Sequence, residues 1–516
     1  MISSWIMIRL LAELTMAEEI EFKLTLRPQD QSRFMRQPLL KTATRRQAAT
    51  LDNIYYDTPD LALRRHGIAL RLRRQGSLWL QTVKQSGTAA AGLSARPEWE
   101  TPYAGHFDFS AIETGKLRDR LQQRHLLSQL LPMFETRFHR TTWHFGSPAG
   151  GVLLTLDRGW IIAGGKREAI SELELELAEP GEAALESLFT LASALAERIP
   201  LVPAVRSKAE RGYRLHGDET TARTVKASSP PLDGGQPPLL AFRQIALACV
   251  DHLQQNYDGA LHSEDPEYIH QMRVALRRLF AALRLFAPLL PETQATTLKD
   301  ALRPLARQLG EARDLDVLQT EIVAPVLAAL PDEPRLATLS NVITLQRYHA
   351  RNAAEDLLQS ARYGQSLLVA LHTLFCQLPG NPASAPLVEF AAARLQRLHK
   401  TLLRRASTAK MHDPMTLHAL RIAVKRLRYA LEFFTPLLPR AKTRAALKRL
   451  VGLQDTLGQI NDLAQAGTLL MHCAGDDPRL REAVTLIGGW HGPRHARLLA
   501  GVPGHIMRFS RWRLAV

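Results

Sequence analysis

The sequence predicts an α+β protein of two domains, an N-terminal β barrel or tunnel and a C-terminal all-α domain. Charged and apolar residues alternate strictly in several segments of the first 215 residues, which is typical of half-buried strands. Beyond about residue 237 the apolar residues recur three and four positions apart, as they do in helices. Residues 228–238 lie between these regions and are too rich in Pro and Gly for a helix or a central strand.

Two strand-like segments carry carboxylates on one face and apolar residues on the other. The first contains Glu19 and Glu21, and the second contains Glu172, Glu174 and Glu176. Carboxylates two residues apart on a strand lie roughly 7 Å from each other on the same face, so each segment forms a row of hard oxygen ligands. Such rows repel one another unless cations lie between them. We therefore interpret them as candidate ligands of a divalent metal ion.

Two further strand-like segments carry basic residues with the same period of two. Arg71 and Arg73 alternate with leucines, and Lys84 ends the polar face of residues 79–84. If these strands close into a barrel, acids and bases meet in the lumen. A linear polyphosphate complexed with magnesium or manganese needs both kinds of group at once. The alternative is a solvated sheet face with cross-strand ion pairs.

These motifs, together with residues 55–59, 156–159 and 207–213, resemble the CYTH family, the triphosphate tunnel metalloenzymes, in order over roughly residues 16–215. The resemblance implies an eight-stranded antiparallel β tunnel with covering helices, which hydrolyses or rearranges triphosphates with divalent metal. It implies metal ligands or their supports at Glu19, Glu21, Glu172 and Glu174, with Asp157 and Glu176 as further candidates. It also implies a phosphate clamp of Lys23, Arg71, Arg73, Lys84, Arg137 and Lys208, with a surface position as the alternative for Arg137.

The second half contains an internal duplication with an offset of 148 residues. Residues 270–279 match residues 418–427, residues 285–291 match 433–439, and residues 309–314 match 457–462. Several elements in register without a gap are typical of a repeated structural unit.

The first duplicated segment places basic residues along one helix face. His270, Arg273 and Arg277 fall at i, i+3 and i+7, and the second copy has His418, Arg421, Lys425 and Arg428 on the same face. Residues 401–450 hold 12 Lys and Arg against two acids, so the basic side chains would repel one another on a solvated helix surface. A bound polyanion would relieve the repulsion. The alternative is ion pairing within the bundle, with Asp314 and Asp462 as partners and the histidines as core donors.

This half resembles the CHAD family, the conserved-histidine α-helical domain, over roughly residues 238–512. The resemblance implies two pseudo-symmetric four-helix bundles with a basic groove that binds inorganic polyphosphate. The candidate ligands are His270, Arg273, Arg277, Arg278, His418, Arg421, Lys425, Arg426 and Arg428. The first copy has Phe280 where the second has Arg428 and Ala281 where the second has Tyr429, so we expect an asymmetric groove.

Composition agrees with two domains of unequal charge. Residues 1–236 hold 31 Lys and Arg against 27 Asp and Glu, and residues 237–516 hold 35 against 23. We predict an extension without structure at 1–15, a tunnel domain at 16–217, a linker at 218–237 and a helical domain at 238–512. Three dispersed cysteines with no zinc-site spacing indicate a reducing compartment, which we take as the cytoplasm, including polyphosphate granules. No segment is long enough to span a membrane.

The predicted function is metal-assisted hydrolysis of a phosphoanhydride with Mg²⁺ or Mn²⁺. We expect tripolyphosphate as substrate and long-chain inorganic polyphosphate as a second ligand, because no base-stacking aromatic residues stand out among the tunnel strands. Residues 164–167 lack P-loop spacing and are interpreted as a hairpin turn. Thiamine triphosphate, ATP in an adenylate cyclase reaction, and a polyphosphate-binding adaptor without catalysis remain alternatives. Nucleic acid is not an expected partner, although backbone neutralisation keeps nonspecific binding open.

Overall fold

The computed structural model describes residues 18–113, 115–146, 151–178, 182–217, 223–379 and 385–510. They form two compact units. The first takes the described residues up to Arg223 together with Gln359–Gln377, and the second takes Thr224–Leu358 and the described residues from Leu378 onwards. The predicted N-terminal extension lies outside the described residues.

The first unit is built on ten antiparallel strands. They are β1 Glu18–Leu26, β2 Arg45–Asp57, β3 Ile68–Gln75, β4 Leu78–Gln85, β5 Thr88–Ala90, β6 Leu93–Pro102, β7 Leu131–Phe145, β8 Val152–Ala163, β9 Lys166–Leu177 and β10 Leu201–Pro203. Eight of them follow the order β1, β9, β8, β7, β2, β3, β4, β6, and β6 pairs again with β1. The predicted eight-stranded antiparallel barrel is therefore confirmed, with the short β5 and β10 added at β6 and β1.

The hairpin between β8 and β9 shows how local sequence sets the barrel. Ala163 pairs with Lys166, so the connecting residues are Gly164 and Gly165 alone. Both have positive φ, +53° and +78°, which a two-residue turn of this kind requires and which glycine adopts without strain. The interpretation of residues 164–167 as a hairpin turn is confirmed.

Six helices flank the barrel in sequence. They are α1 Gln31–Met35, α2 Ala62–Arg65, α3 Lys116–Leu121, α4 Arg124–Leu127, α5 Glu182–Ala196 and α6 Lys208–His216. The long α5 covers the outer face of β8 and β9, where the alternation places apolar residues such as Leu173 and Leu175, both fully buried. Ser207 begins α6 with a capping box in which its hydroxyl and the Glu210 carboxylate exchange hydrogen bonds with each other's backbone N–H groups.

The second unit is helical, as predicted. All but one of the helices that follow along the chain belong to this unit. They are α7 Pro238–Gln255, α8 Tyr257–His262, α9 Glu267–Leu285, α10 Glu292–Val317, α11 Ala324–Ala329, α12 Pro334–Gln359, α13 Ala361–His372, α14 Leu387–Ser407, α15 Pro414–Phe434, α16 Arg440–Ala474 and α17 Pro478–Ser510. The exception is α13, which lies within Gln359–Gln377. No described helix combines the length and the hydropathy needed to cross a membrane.

The duplication is visible in the local structure of the second unit. Each of α9 and α15 is followed by a short 3₁₀ turn, Ala287–Leu289 in one copy and Thr435–Leu437 in the other, at the same offset of 148 residues. A proline then precedes the long helix of each copy, which is α10 or α16. The helices α9 and α15 contact each other, so the two basic faces lie on neighbouring helices.

Candidate functional site

Three carboxylates from β8 and β9 converge inside the barrel. Asp157, Glu172 and Glu174, which we call the acidic cluster, each place one oxygen within 4.8 Å of the other two. They come together because Asp157 pairs directly with Glu172 in the β8–β9 register and Glu174 lies two residues further along the same face. The side chains of Asp157 and Glu172 are 0% and 3% exposed. Such buried charge is stable only when it is paired.

Lys208 and Arg140 each contact more than one carboxylate of the acidic cluster, and Arg211 of α6 contacts Glu172 at 2.9 Å. The Lys208 ammonium, at the start of α6, lies 2.7 Å from Oδ2 of Asp157 and 3.0 Å from Oε1 of Glu174, and it also contacts Glu172. Arg140 on β7 donates from Nε and Nη2 to both oxygens of Asp157 at 2.7 and 2.6 Å. Its Nη2 also donates to Glu174 at 2.6 Å. The capping box at Ser207 fixes the first turn of α6 and thus the position of Lys208.

β1 extends this network toward β6. Lys23 Nζ lies 2.6 Å from Glu174 and 2.6 Å from Glu21. The second oxygen of Glu21 accepts a hydrogen bond from the Ser94 hydroxyl at 3.1 Å and pairs with Arg96, both on β6. Glu21 is therefore held across the strand pair that closes the barrel.

The pKa shifts follow from this pairing. Burial raises the pKa of Glu174, but the charges of Lys208, Lys23 and Arg140 outweigh burial and hold it well below its usual range. Burial lowers the pKa of Lys208, but Asp157 and Glu172 outweigh burial and raise it above its usual range. Glu174 and Lys208 are therefore charged at neutral pH, and Glu174 is in the deprotonated form that a metal ion binds.

The wall formed by β3, β4 and β6 carries a second set of acids and bases. Arg71 Nη2 lies 3.4 Å from Glu98, and Lys84 pairs with the same carboxylate. Arg73 lies 3.4 Å from Glu100 and donates from Nε to Asn53 at 3.1 Å. Burial and the neighbouring Arg71 lower the pKa of Arg73 to about 10. Basic groups thus crowd one part of the lumen.

The acidic cluster fits a hard divalent cation. Its donors are all carboxylate oxygens, the ligand type that Mg²⁺ and Mn²⁺ prefer. Among the described side chains, this group does not extend to Glu21 or Glu176. Glu176 lies opposite Glu21 in the β1–β9 register. The predicted ligand Glu19 lies on β1, but its side chain is outside the described residues.

Arg137 is the one predicted clamp residue that the structure does not bring to the lumen. Its side chain is 61% exposed and pairs with Glu135 on the same strand at 2.7 Å. Residues 137 and 140 fall on opposite faces of β7, and Arg140 is the one that reaches the acidic cluster.

The sequence analysis did not find Arg96, Glu98, Glu100 and Arg140, which face the lumen, or Arg211, which donates to Glu172 at 2.9 Å. The first three lie on β6 and share the period of two that identified the other rows, so the pattern for finding them was present. The signal for Arg140 was weaker, because its face of β7 also carries Phe134 and Phe138.

A basic cavity of about 970 Å³ lies in the second unit. It is lined by both duplicated faces, with His270, Arg273 and Arg277 from α9, Arg421 and Lys425 from α15, and Arg313 from α10. Asp314 and Asp462 occupy the same position in the two copies of the duplication, and so do Arg273 and Arg421. Each acid pairs with the arginine of its own copy. Arg273 lies 2.6 Å from Asp314, and Arg421 lies 3.8 Å from Asp462.

Glu311 and Glu321 also line the cavity, so four acids face five Arg and Lys side chains and leave a small excess of positive charge. Burial, together with Arg421 and Arg277, lowers the pKa of Lys425 to about 8. Burial and Arg313 lower the pKa of His270. The buried Nε atoms of Arg277 and Arg421 have no hydrogen-bond partner among the described residues. An anion entering the cavity would supply the missing negative charge and acceptors.

The other predicted ligands of the helical half do not line this cavity. Arg278 is buried, pairs with Glu432 at 2.8 Å and lies over the Phe433 ring. Arg428 lies 3.4 Å from the same carboxylate, Arg426 is exposed, and His418 is exposed near Asn461. The two copies therefore contribute unequally, as the substitutions between them suggested.

Comparison with known proteins identifies the family of each half of the chain. The model of the CYTH domain matches residues 17–213, and the model of the CHAD domain matches residues 244–471. The chain carries an N-terminal CYTH domain and a C-terminal CHAD domain. CYTH enzymes use triphosphate substrates and depend on divalent metal, so the acidic cluster lies in a domain of the expected chemistry.

The relatives differ in which part of the chain they match. An inorganic triphosphatase of Haemophilus influenzae is 32% identical over 201 residues, which is 39% of this chain and 55% of that protein. The chain therefore spans about half the length of this relative. An uncharacterised protein of Mycobacterium tuberculosis is 27% identical over 408 residues, 73% of this chain and 75% of that protein. The crystal structure of the CHAD domain from Ricinus communis, 34% identical, covers 57% of this chain and 98% of that one, with a TM-score of 0.50.

Proposed function

We propose that the CYTH domain is a metal-dependent inorganic triphosphatase that hydrolyses tripolyphosphate to pyrophosphate and phosphate. The observation that carries the proposal is the lumen itself, which combines the acidic cluster with basic groups on the facing strands. The relative named inorganic triphosphatase aligns with this half of the chain and supports the choice of reaction.

The roles follow from the contacts. Asp157, Glu172 and Glu174 would hold Mg²⁺ or Mn²⁺, and the ion would supply Lewis-acid stabilisation of charge on phosphate oxygens. Lys23 and Lys208 touch carboxylates of the cluster and therefore lie beside the metal site. The remaining basic groups bind and orient the phosphate chain: Arg71, Arg73, Lys84 and Arg140.

The packing of the lumen aromatics favours an inorganic chain over a nucleotide. Tyr55 stacks on Phe134 with ring centroids 4.5 Å apart, and Phe134 meets Tyr213 edge-on at 5.1 Å. Phe138 lies under Lys208 and Arg140. These rings are engaged with one another or with cations, which leaves them poorly placed to stack on a base.

A substrate panel tests this assignment. Phosphate release from tripolyphosphate, ATP and thiamine triphosphate is measured with Mg²⁺, Mn²⁺ and EDTA. We expect tripolyphosphate to be hydrolysed with the highest kcat/KM and EDTA to abolish turnover. Faster turnover of a nucleotide or of thiamine triphosphate would contradict the substrate assignment and leave the metal assignment standing.

For the CHAD domain, we propose that the basic cavity binds long-chain inorganic polyphosphate. Arg277, Arg421 and Lys425 line the cavity, and the Nε atoms of the two arginines have no hydrogen-bond partner among the described residues. A flexible polyanion can follow both duplicated faces and supply acceptors to them. Binding should weaken steeply with salt, since each neutralised phosphate releases counterions.

A quadruple alanine variant of the full chain tests the second proposal. Replacing Arg273, Arg277, Arg421 and Lys425 should abolish polyphosphate binding and flatten its salt dependence, while tripolyphosphate hydrolysis continues. The matched control replaces four exposed basic residues outside the cavity: Arg404, Arg405, Arg444 and Lys448. Equal loss in both variants would show that binding depends on total charge. Displacement of polyphosphate by duplex DNA at equal phosphate concentration would favour nucleic acid as the ligand.

A further inference from the structure

Three donors of different chemistry converge on the outside of the barrel, away from the lumen. They are the carboxylate of Glu186 on α5, the imidazole of His372 at the end of α13, and the thiol of Cys376 in the π-helical turn Thr373–Gln377. One ligand atom from each lies within 4.8 Å of the other two. All three belong to the first compact unit.

The orientation of the His372 ring is fixed by packing. The ring stacks on Phe189 of α5 with centroids 5.8 Å apart and planes inclined by 15°. Phe189 is fully buried and also packs against Phe375 of the π-helical turn and Phe22 of β1. Because this aromatic stack continues to the barrel wall, the imidazole is held rigidly at its place.

The position of the imidazole nitrogen is unusual for a simple ion pair. Nε2 of His372 lies 2.8 Å from Oε1 of Glu186. Yet among the described residues this buried nitrogen has no hydrogen-bond partner of acceptable geometry. The carboxylate thus lies beside the ring nitrogen and outside its hydrogen-bonding direction, as two ligands of one ion do.

The π-helical turn brings Cys376 to the same side. His372 and Cys376 are four residues apart, a spacing that places two side chains on one face of a helical segment. Single π-helical turns occur frequently at functional sites. The sequence analysis found no zinc-site spacing because the third donor, Glu186, is distant in the chain.

We propose that Glu186, His372 and Cys376 bind a Zn²⁺ ion that joins α13 to α5. Nitrogen, sulfur and oxygen donors together select zinc over magnesium. At zinc–ligand distances of about 2.0–2.3 Å, tetrahedral ligand atoms lie roughly 3–4 Å apart. The three donors lie within 4.8 Å of one another and His372 Nε2 lies 2.8 Å from Glu186, so a small movement of the carboxylate brings them to zinc-binding separations. Glu186, whose side chain is 51% exposed, can make that movement and leaves a fourth position for water.

The proton balance of binding is simple. Cys376 binds as thiolate and releases its proton to solvent, His372 binds as neutral imidazole, and Glu186 binds as carboxylate. The two negative ligands neutralise the charge of the ion, so the site needs no further counter-charge.

Cobalt substitution of the full-length protein tests the site independently of activity. The protein is stripped with a chelator and titrated with Co²⁺, and the thiolate-to-cobalt charge-transfer absorption is recorded. We expect a band that saturates at one Co²⁺ per chain and is displaced by Zn²⁺, which binds such sites more tightly than Co²⁺. The acidic cluster offers oxygen alone, so metal bound there gives no thiolate band.

Variants assign the ligands. Cys376→Ser should abolish the band, and Glu186→Gln, at an exposed position that the fold tolerates, should weaken Co²⁺ binding about tenfold or more. The matched control is Cys473→Ser, which should keep the band. Absence of the band in the wild-type protein, its persistence in Cys376→Ser, or wild-type affinity in Glu186→Gln would overturn the proposal.

Discussion

Replacing Glu174 with glutamine removes one charge from the acidic cluster and changes its shape little. Lys23, Lys208 and Arg140 each contact this carboxylate. Each cation also has another acid within reach: Glu21 for Lys23, and Asp157 for Lys208 and Arg140. No cation is therefore left unpaired by the substitution.

The stability cost should accordingly be moderate. Removing one partner of an isolated buried ion pair costs about 3–5 kcal/mol because it leaves a buried charge uncompensated. Since all three cations keep an acid, we expect about 1.5–3 kcal/mol for Glu174→Gln, the net worth of hydrogen bonds to a charged group.

The cost in turnover should be larger. A catalytic metal ion supplies several kcal/mol of transition-state stabilisation. Losing about 3–4 kcal/mol of it lowers kcat/KM roughly 10²–10³-fold, at about 1.36 kcal/mol for each factor of ten. Phosphate release from tripolyphosphate over a range of Mn²⁺ concentrations measures this loss, and thermal unfolding of the same preparation measures stability.

The control is Glu135→Gln, which removes an exposed carboxylate paired with Arg137 outside the lumen. It should leave turnover and metal dependence unchanged. The reasoning is refuted if Glu174→Gln keeps wild-type turnover and metal dependence, or if its loss of activity equals the fraction unfolded at the assay temperature.

The sign of the pH dependence also follows from Glu174. Its folded pKa is lowered from 4.5, so its stabilising contribution is complete above about pH 4.5 and is lost as the pH falls through the folded pKa. The difference in unfolding free energy between the wild-type protein and Glu174→Gln should therefore be constant at neutral pH and shrink only in acid.

Three further predictions concern other parts of the molecule. Arg73→Ala should lower kcat/KM for tripolyphosphate at least about tenfold without weakening polyphosphate binding, and a parallel decline of both activities in the full chain would contradict separate sites. Because the pKa of Lys425 is about 8, polyphosphate affinity should fall as the pH rises above 8, and Lys425→Arg should remove that fall in a pH series of binding titrations. Gly212→Ala should lower the melting temperature, since a Cβ there would lie 2.1 Å from the Phe134 ring; an unchanged melting curve would show that α6 shifts freely.

Strict alternation made the barrel and much of its lumen predictable. A strand face of glutamates alone is self-repelling unless cations lie beside it, and this favours the common lumen wall on which the structure places Glu21, Glu172 and Glu174 over a solvated sheet face. The same rule places the basic residues of β3 and β4 on the lumen face that also carries Glu98 and Glu100 of β6.

The rule failed on β7 for a physical reason. There the lumen face carries Phe134 and Phe138, because Tyr213 and Lys208 of α6 pack over these rings at that part of the barrel. The resemblance implied Arg137 for the clamp, and alternation did not identify Arg140 because the lumen face of β7 looks apolar in the sequence. A helix that is distant in sequence decides which face is buried, and alternation alone does not contain that information.

In the helical half, periodicity and the duplication identified the basic faces. They did not show which basic residues line the cavity and which are buried against a neighbouring helix. Arg277 lines the cavity, whereas the adjacent Arg278 is turned toward Glu432. Consecutive residues on a helix point about 100° apart, so the choice between them depends on which neighbouring helix supplies an acid. The sequence does not specify that neighbour.

The membership of Gln359–Gln377 in the first unit has a consequence for biosynthesis. The chain leaves that unit at Arg223 and returns at Gln359, so the segment that packs on Phe189 emerges from the ribosome more than a hundred residues after the barrel strands. At about 5–20 residues per second, the face of α5 around Phe189 waits roughly 9–36 s for its cover. During that interval a nascent barrel carries exposed aromatic surface, which is a natural target for a chaperone, and truncated chains ending before residue 359 should be prone to aggregation.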